Sequence, residues 1–283
     1  MQTIRPMAVA GMFYPASESQ LREELKILLD ITESEEFSND PQGQQKEPDG
    51  KIFGLVAPHA GYIYSGRTAA YAYSRIKGNT YKTVVIISPS HREYFPGVSV
   101  YNGDGYKTPL GIVPVDKEKV ERLVQGSENI FKGIEGHRQE HALEVQLPFL
   151  QMVLKDFSIV PVVIGDQSRK YVYELADKTA EILDGETLVV ASSDMSHFHS
   201  KQEAGYLDSI VERRIEEFDY EGLQEDLEFR RCEACGGGPI VSLMRAADIL
   251  KKRKSIVLHR SDSGDVSGDN SEVVGYLSAM IYG

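Results

Sequence analysis

Three apolar runs without polar alternation constrain the fold of this chain more than any other feature. The runs are VVIIS, IVPVVI and LVVAS, and all three are short and rich in β-branched residues. A strand covered on one face alternates apolar and polar side chains, so a continuous run is typical of a strand buried on both faces. Such strands occur in sheets that have helices packed on both sides.

The rest of the chain alternates similar runs with longer helical patterns, which predicts an α/β fold. We expect a three-layer αβα sandwich with a central, mostly parallel or mixed sheet, whose last strand is antiparallel. The predicted strands lie at 52–57, 83–88, 97–100, 158–164, 187–192, 256–259 and 272–279, and the predicted helices at about 18–31, 65–76, 116–125, 140–154, 169–183, 201–218 and 236–251. The acidic segment 33–51 is predicted to be an exposed loop, and residues 1–283 to form a single domain.

Charge and composition exclude several classes of function. The net charge of -12 would repel a polyanion, so we expect no nucleic-acid binding. No apolar run approaches the ~20 residues of a membrane-spanning helix, and the amino-terminal segment does not resemble a secretory signal. Two cysteines are too few to cross-link a secreted scaffold. We therefore expect a soluble cytoplasmic protein with no membrane contact.

Three histidine motifs follow predicted strands directly. They are PHAGY with His59, PSH with His91, and SDMSH with Asp194 and His197. Open α/β sheets place their ligands at the carboxyl ends of strands, where rigid backbone holds a side chain toward a crevice. One such histidine is usually structural, but three in comparable positions favour a metal or catalytic site.

Cys235 precedes a glycine-rich turn and an apolar helix, in the segment EACGGGPI. The positive end of that helix is expected to lower the pKa of the thiol and favour a thiolate ligand. A buried, inert cysteine explains the local sequence equally well. Cys232 lies three residues earlier, so the two cysteines have the C-x-x-C spacing of a redox pair or of zinc ligands. A closed four-thiolate zinc site is excluded because the chain has no second C-x-x-C motif.

The segment His137-Arg138-Gln139-Glu140-His141 matches the inverted zinc-protease signature H-x-x-E-H. On a helix, His137 and His141 would share a face and could bind one zinc ion. Gly136 places His137 outside a helix that begins near Glu140, so a zinc protease is the weaker interpretation.

Taken in order, longer blocks of the sequence resemble the Memo-like family, named for a mediator of cell motility. The resemblance is carried by RPMAVAGMFYPAS, GLVAPHAGYIYSG, SPSHREYF, YKTPLGIVPVD, EHALEVQLPFL, VPVVIGDQ, SSDMSHF, ACGGGPI and GDVSGDNSEVVGYLSAMIY. These blocks span nearly the whole chain.

The resemblance implies a fold similar to that of the class III extradiol dioxygenases, which hold non-haem iron through two histidines and a carboxylate. In Memo-like proteins it implies two histidines and a cysteine, which correspond here to His59, His91 and Cys235. Asp194 and His197 match the pair beside the metal, with His197 at the position of a catalytic acid–base histidine. His141, in EHALE, matches a further block of the pocket.

We therefore expect a metal-dependent oxidoreductase with a dioxygenase-like site, in which His197 moves a proton and Asp194 orients it. Fe(II) is the expected ion, with copper or zinc as alternatives because a thiolate is a softer donor than a carboxylate. The alternative function is a non-catalytic module that binds a peptide or small ligand, or sequesters metal, in the same crevice. A homodimer is a common state for soluble proteins, and the resemblance implies radical-SAM and AMMECR-like partners.

Overall fold

The structure is a computed structural model that describes residues 3–39 and 50–283. Its strands are β1 (Ile4–Arg5), β2 (Ile52–Ala57), β3 (Thr83–Pro89), β4 (Val98–Tyr101), β5 (Gly105–Thr108), β6 (Gly111–Pro114), β7 (Ile130–Gly133), β8 (Ser158–Ile164), β9 (Thr187–Ser192), β10 (His197–His199), β11 (Lys254–Asp262) and β12 (Val273–Tyr282). Its helices are α1 (Glu18–Asn39), α2 (Tyr62–Ser74), α3 (Lys117–Val124), α4 (Gln146–Val153), α5 (Arg169–Ile182), α6 (Lys201–Glu216), α7 (Tyr220–Glu228), α8 (Gly237–Ile249) and α9 (Gly264–Ser267).

The main sheet is mixed, with a parallel centre. Its strand order is β10-β12-β2-β9-β3-β8-β4-β7, and β11 also pairs with β12. Strands β2, β9, β3 and β8 are mutually parallel, whereas β12 runs antiparallel to β2. A second, three-stranded sheet contains β1, β5 and β6. The predicted mixed sheet and its antiparallel last strand are both confirmed.

Helices flank the main sheet and complete the three-layer sandwich. One group consists of α1, α2 and α4, with α2 packed on β2, β11 and β12. The other group centres on α8, which packs on β9 and β3 and contacts α5 and α7. The strands between them are almost fully buried, as the apolar runs predict. No helix among the described residues is long and apolar enough to span a membrane.

Several predicted boundaries are wrong. The sequence predicts a loop at 33–51, but α1 continues to Asn39, and residues 40–49 lie outside the described part of the chain. The helix expected at 140–154 begins only at Gln146, after a series of turns. The sequence does not predict strands β1, β5, β6, β7 and β10 or helices α7 and α9, because elements this short show little periodicity.

The parallel centre of the sheet positions the candidate site. Strand β9 lies between β2 and β3, with Ala57 paired to Ser192 and Ile87 paired to Ala191. The carboxyl ends of all three strands therefore meet at one edge of the sheet. The loops that follow them carry the three predicted histidine motifs.

Candidate metal centre

The loops after β2 and β3 and the turn before α8 bring two histidines and a cysteine together. The potential ligand atoms of His59, His91 and Cys235 lie within 4.8 Å of one another. The Nε2 atom of His59 is 3.1 Å from the Sγ atom of Cys235. These separations are on the scale set by the ~2.0–2.3 Å bonds that imidazole and thiolate form to a shared ion.

The hydrogen bonds of His59 determine which of its ring nitrogens is free. Ser192 Oγ donates its proton to the carbonyl of Ala142 at 2.7 Å, so it can only accept from the His59 ring, whose Nδ1 atom is 2.9 Å away. Nδ1 therefore carries the proton and Nε2 presents a lone pair toward Cys235. Burial, together with the neighbouring His91, lowers the pKa of His59 well below its usual value. The ring is thus the neutral imidazole that a metal ion requires.

His91 is oriented by the carboxylate of Glu140. Its Nδ1 atom is 2.8 Å from Glu140 Oε1, and its backbone amide donates to Oε2 at 2.5 Å. Burial opposes ionisation of Glu140, but the hydrogen bonds from His91 and from the Ala142 amide outweigh it and lower the pKa to about 2. An ionised carboxylate only accepts, so the His91 Nδ1 atom carries a proton and Nε2 is free.

Cys235 lies against the end of β9. Its amide donates to the carbonyl of Asp194 at 3.1 Å, and the Asp194 amide is 3.2 Å from its sulfur. A side chain at the next residue, Gly236, would place Cβ only 2.1 Å from the Ser192 carbonyl, so the close approach requires glycine. The glycine directly after Cys235 is explained by this contact.

The expectation that the α8 amino terminus lowers the pKa of the Cys235 thiol is wrong for the protein without a cation. Burial, and next the Asp194 carboxylate, raise that pKa well above its usual value. A coordinated thiol is deprotonated by the ion itself, so thiolate formation here would be coupled to metal binding. Two imidazoles whose Nδ1 atoms are held by Ser192 and Glu140, together with an adjacent thiol, fit a borderline or soft transition-metal ion.

His141 lies beside this group. The centre of its ring is 4.7 Å from that of His91 and 5.4 Å from that of His59. Burial, together with His59, lowers the pKa of His141 to about 4. Its Nδ1 atom is buried and lies 3.2 Å from Glu140 Oε1, in a geometry that does not form a hydrogen bond. His91, Glu140 and His141 form a second set of residues whose ligand atoms could hold an ion.

Asp194 and His197 also lie beside the group, but they do not form the expected pair. Asp194 Oδ1 accepts from the His59 amide at 2.7 Å, and its side chain is almost fully buried. The His197 Nδ1 atom is instead 2.8 Å from the carbonyl of Met195. In the described part of the chain no hydrogen bond joins Asp194 to His197, so the Met195 carbonyl orients His197 and Asp194 supports the His59 loop.

An open cavity of about 420 Å³ adjoins Cys235. It is lined by Met195, His197, Leu227, Arg230, Cys232, Glu233, Ala234 and Cys235. A volume of this size accommodates a small organic ligand.

The zinc-protease alternative is excluded by the position of His137. The segment 137–141 is not helical. The His137 Nε2 atom donates to the Ser99 carbonyl at 3.2 Å, and Nδ1 therefore accepts from Tyr106 Oη at 2.6 Å. Neither ring nitrogen is available to a metal ion.

Cys232 does not join Cys235 as a second ligand. Its side chain is buried, and burial raises the pKa of its thiol to about 12. It belongs to neither of the possible ligand sets found among residues 3–39 and 50–283.

Sequence reasoning did not identify Glu140 or Ser192 as supports of the two histidines. The sequence suggests Glu140 only as part of the H-x-x-E-H motif and of the expected helix, because its partner His91 lies 49 residues away in the chain. Nothing in the local sequence connects the two.

We expect Glu140→Gln to lower metal affinity about 10- to 100-fold. Both Glu140 oxygens accept hydrogen bonds from His91. The glutamine amide has one oxygen, so one His91 N–H would face another donor. Zn(II) titration against a competing chelator measures the change.

The control for this variant is Glu93→Gln, which alters a partly exposed ion pair with Arg138. Equal zinc affinities for Glu140→Gln and the unmodified protein would contradict a supporting role for Glu140.

The chain is similar along nearly its whole length to proteins of one family. A family model described as "Memo-like protein" matches residues 5–280. A MEMO1 family protein from Methanobrevibacter smithii is 37% identical over 288 residues, which cover 98% of this chain and 99% of that relative. The MEMO1 family protein TV1383 from Thermoplasma volcanium is 36% identical over 278 residues and covers 98% of both chains.

One solved structure with a similar fold is that of an uncharacterized protein, JW3007, from Escherichia coli K12. Its TM-score is 0.55 at 15% sequence identity, and the match covers 82% of this chain and 100% of that one. At this identity the similarity concerns the fold alone.

Proposed function

Because this chain belongs to the Memo-like protein family, we propose that it is a metal-dependent oxidoreductase in which His59, His91 and Cys235 hold one ion. The observation that carries the proposal is the convergence of their ligand atoms within 4.8 Å. The free Nε2 atoms of the two histidines support it further. Fe(II) is the ion we favour, and copper or zinc are the alternatives that the thiol allows.

A bound ion would supply redox and Lewis-acid chemistry to a ligand in the adjoining cavity. The protein holds the donors in place through side chains behind them. Ser192 orients the His59 ring and Glu140 orients the His91 ring. Asp194 accepts a hydrogen bond from the backbone amide of His59. Two imidazoles and one thiolate leave further coordination positions open.

His197 is the proposed acid–base residue. A carbonyl only accepts hydrogen bonds, so the contact with the Met195 carbonyl keeps the proton on Nδ1 and leaves Nε2 as the acceptor. Since His197 lines the cavity, Nε2 is the atom that would take a proton from a ligand there. His141, whose ring lies beside that of His91, is proposed to hydrogen-bond to a ligand through its Nε2 atom.

Oxygen consumption by the iron-loaded protein tests this proposal. We expect a panel of catechols and small hydroxy acids to include compounds that drive oxygen uptake above the rate of the same concentration of free Fe(II). His197→Gln should lower that uptake at least about 100-fold while leaving iron content unchanged, since it removes the proton acceptor but no ligand.

The matched control is His259→Gln, because the His259 ring stacks on Tyr71 of α2 rather than facing the cavity. Uptake that never exceeds that of free Fe(II) would overturn the oxidoreductase proposal. Ligand binding that survives removal of metal by a chelator would then favour the non-catalytic module.

A further inference from the structure

The cavity beside Cys235 has one charged side chain without a partner. Glu233 is engaged by the His199 Nε2 atom at 3.0 Å. Arg230 makes no side-chain hydrogen bond or ion pair with any residue that the structure describes, and it is exposed. Its neighbour Arg231, by contrast, contacts Asp226 and Glu225.

The backbone at Arg230 is unusual for an arginine. Helix α7 ends with the Arg231 amide donating to the Asp226 carbonyl at 2.8 Å and the Arg230 amide donating to the Leu227 carbonyl at 3.1 Å. This Schellman pattern requires a left-handed residue at position 230, where glycine is favoured. Arg230 adopts a φ of 54°. The turn thus carries a cationic side chain to the cavity at a position where glycine would be less strained.

Because the whole chain is acidic, a local cation such as Arg230 is needed for the cavity to bind an anionic ligand. With a net charge of -12, the protein repels small anions at long range. A ligand that carries a carboxylate would need a local, uncompensated cation to bind, and a guanidinium can bind a carboxylate through two hydrogen bonds. Leu227 and Ala234, both partly exposed, offer apolar surface in the same cavity.

We propose that this cavity binds a small organic carboxylate, with the guanidinium of Arg230 on the carboxylate and the apolar body of the ligand against Leu227 and Ala234. The inference rests on the proposed function, because it names the class of substrate that reaches the metal centre. Arg230 is then the residue that selects anionic over neutral ligands.

Fluorine NMR with a matched pair of probes tests the proposal. In zinc-loaded protein we expect 4-fluorobenzoate to bind at least about tenfold more tightly than the neutral 4-fluorobenzamide, as a charge-assisted pair allows. Arg230→Gln should reduce this ratio to about one, and Arg231→Gln should preserve it. Arg230→Gly should also remove the preference, while its Tm stays equal or rises because glycine relieves the strained turn.

The outcomes distinguish binding of the carboxylate by Arg230 from binding of the carboxylate by the metal ion. We expect the preference to persist in Cys235→Ala. A preference lost in Cys235→Ala but retained in Arg230→Gln would show that the ion binds the carboxylate, which overturns this inference and leaves the proposed function standing. No saturable binding, or equal binding of both probes to the unmodified protein, would also overturn it. A preference that depends on Arg230 in a protein that binds no stoichiometric metal would support the inference while the proposed function fails.

Discussion

Replacing Cys235 with alanine is expected to reduce bound metal from about one ion per chain to less than about a tenth of that value. The thiol supplies the donor of greatest charge in the set, since His59 is neutral and the Cys235 thiol would ionise on binding. Two imidazoles alone would leave a site open to water and to exchange. The loss should be largest for copper(I) and zinc, for which thiolate is a preferred ligand.

Anaerobic reconstitution with Fe(II), copper(I) and Zn(II) in separate samples, followed by desalting and elemental analysis, measures this change. Cys232→Ala is the matched control, because Cys232 is the only other cysteine of the chain and belongs to neither possible ligand set of the described residues. It should retain the metal content of the unmodified protein.

Either of two results would count against the metal proposal. If Cys235→Ala retained as much metal as the unmodified protein, the ligand assignment would be wrong. If neither the unmodified protein nor its variants took up stoichiometric metal, the redox mechanism would have no basis. A non-catalytic module that binds a ligand would then be the better account.

Replacing Arg5 with methionine is expected to lower the free energy of unfolding by about 3–5 kcal/mol. Arg5 and Glu144 form an ion pair whose side chains are only 3% and 0% exposed. Glu144 also accepts hydrogen bonds from the Ala8 amide at 2.8 Å and from Tyr14 Oη at 2.5 Å, so it joins the start of the chain to the turns before α4. Without the guanidinium, a carboxylate would remain buried with no countercharge.

Thermal unfolding followed by circular dichroism should show a Tm roughly 10 °C lower for this variant. Arg22→Met is the control, because the Arg22–Glu18 pair is 48% and 60% exposed and should contribute less than about 1 kcal/mol. The double variant Arg5→Met/Glu144→Gln should lose less stability than the sum of its single changes, since the second change removes the uncompensated charge. A Tm of Arg5→Met equal to that of Arg22→Met would contradict the prediction.

Much of the sheet could be predicted because its central strands are apolar throughout. The strands at 52–57, 158–164 and 187–192 agree with the structure at both ends. Each continuous run corresponds to a strand buried between helices, and polar residues follow where the strand reaches the edge of the sheet. Short edge elements such as β10 lack such a run and were not found.

The turns before α4 show why local pattern failed there. The sequence EHALEVQLPFL has a helical period, yet residues 140–145 form turns. Glu140 accepts from the amides of His141 and Ala142, and Arg5 binds the carbonyls of His137 and Glu140. These bonds satisfy backbone groups that a helix would otherwise use.

The sequence by itself determined the α/β class, the strand ends on which His59, His91 and His197 lie, and the family to which the chain belongs. Those features depend on residues close together in the chain and on blocks that occur in a characteristic order. Only the tertiary structure decided that His59 and Cys235 approach within 3.1 Å, that Glu140 orients His91, and that Asp194 supports the His59 loop rather than His197. The physical reason is that each of these contacts joins a strand end to a segment that is distant in the chain. Their geometry and protonation depend on how the sheet and its helices bring those segments together and on the water that this packing excludes.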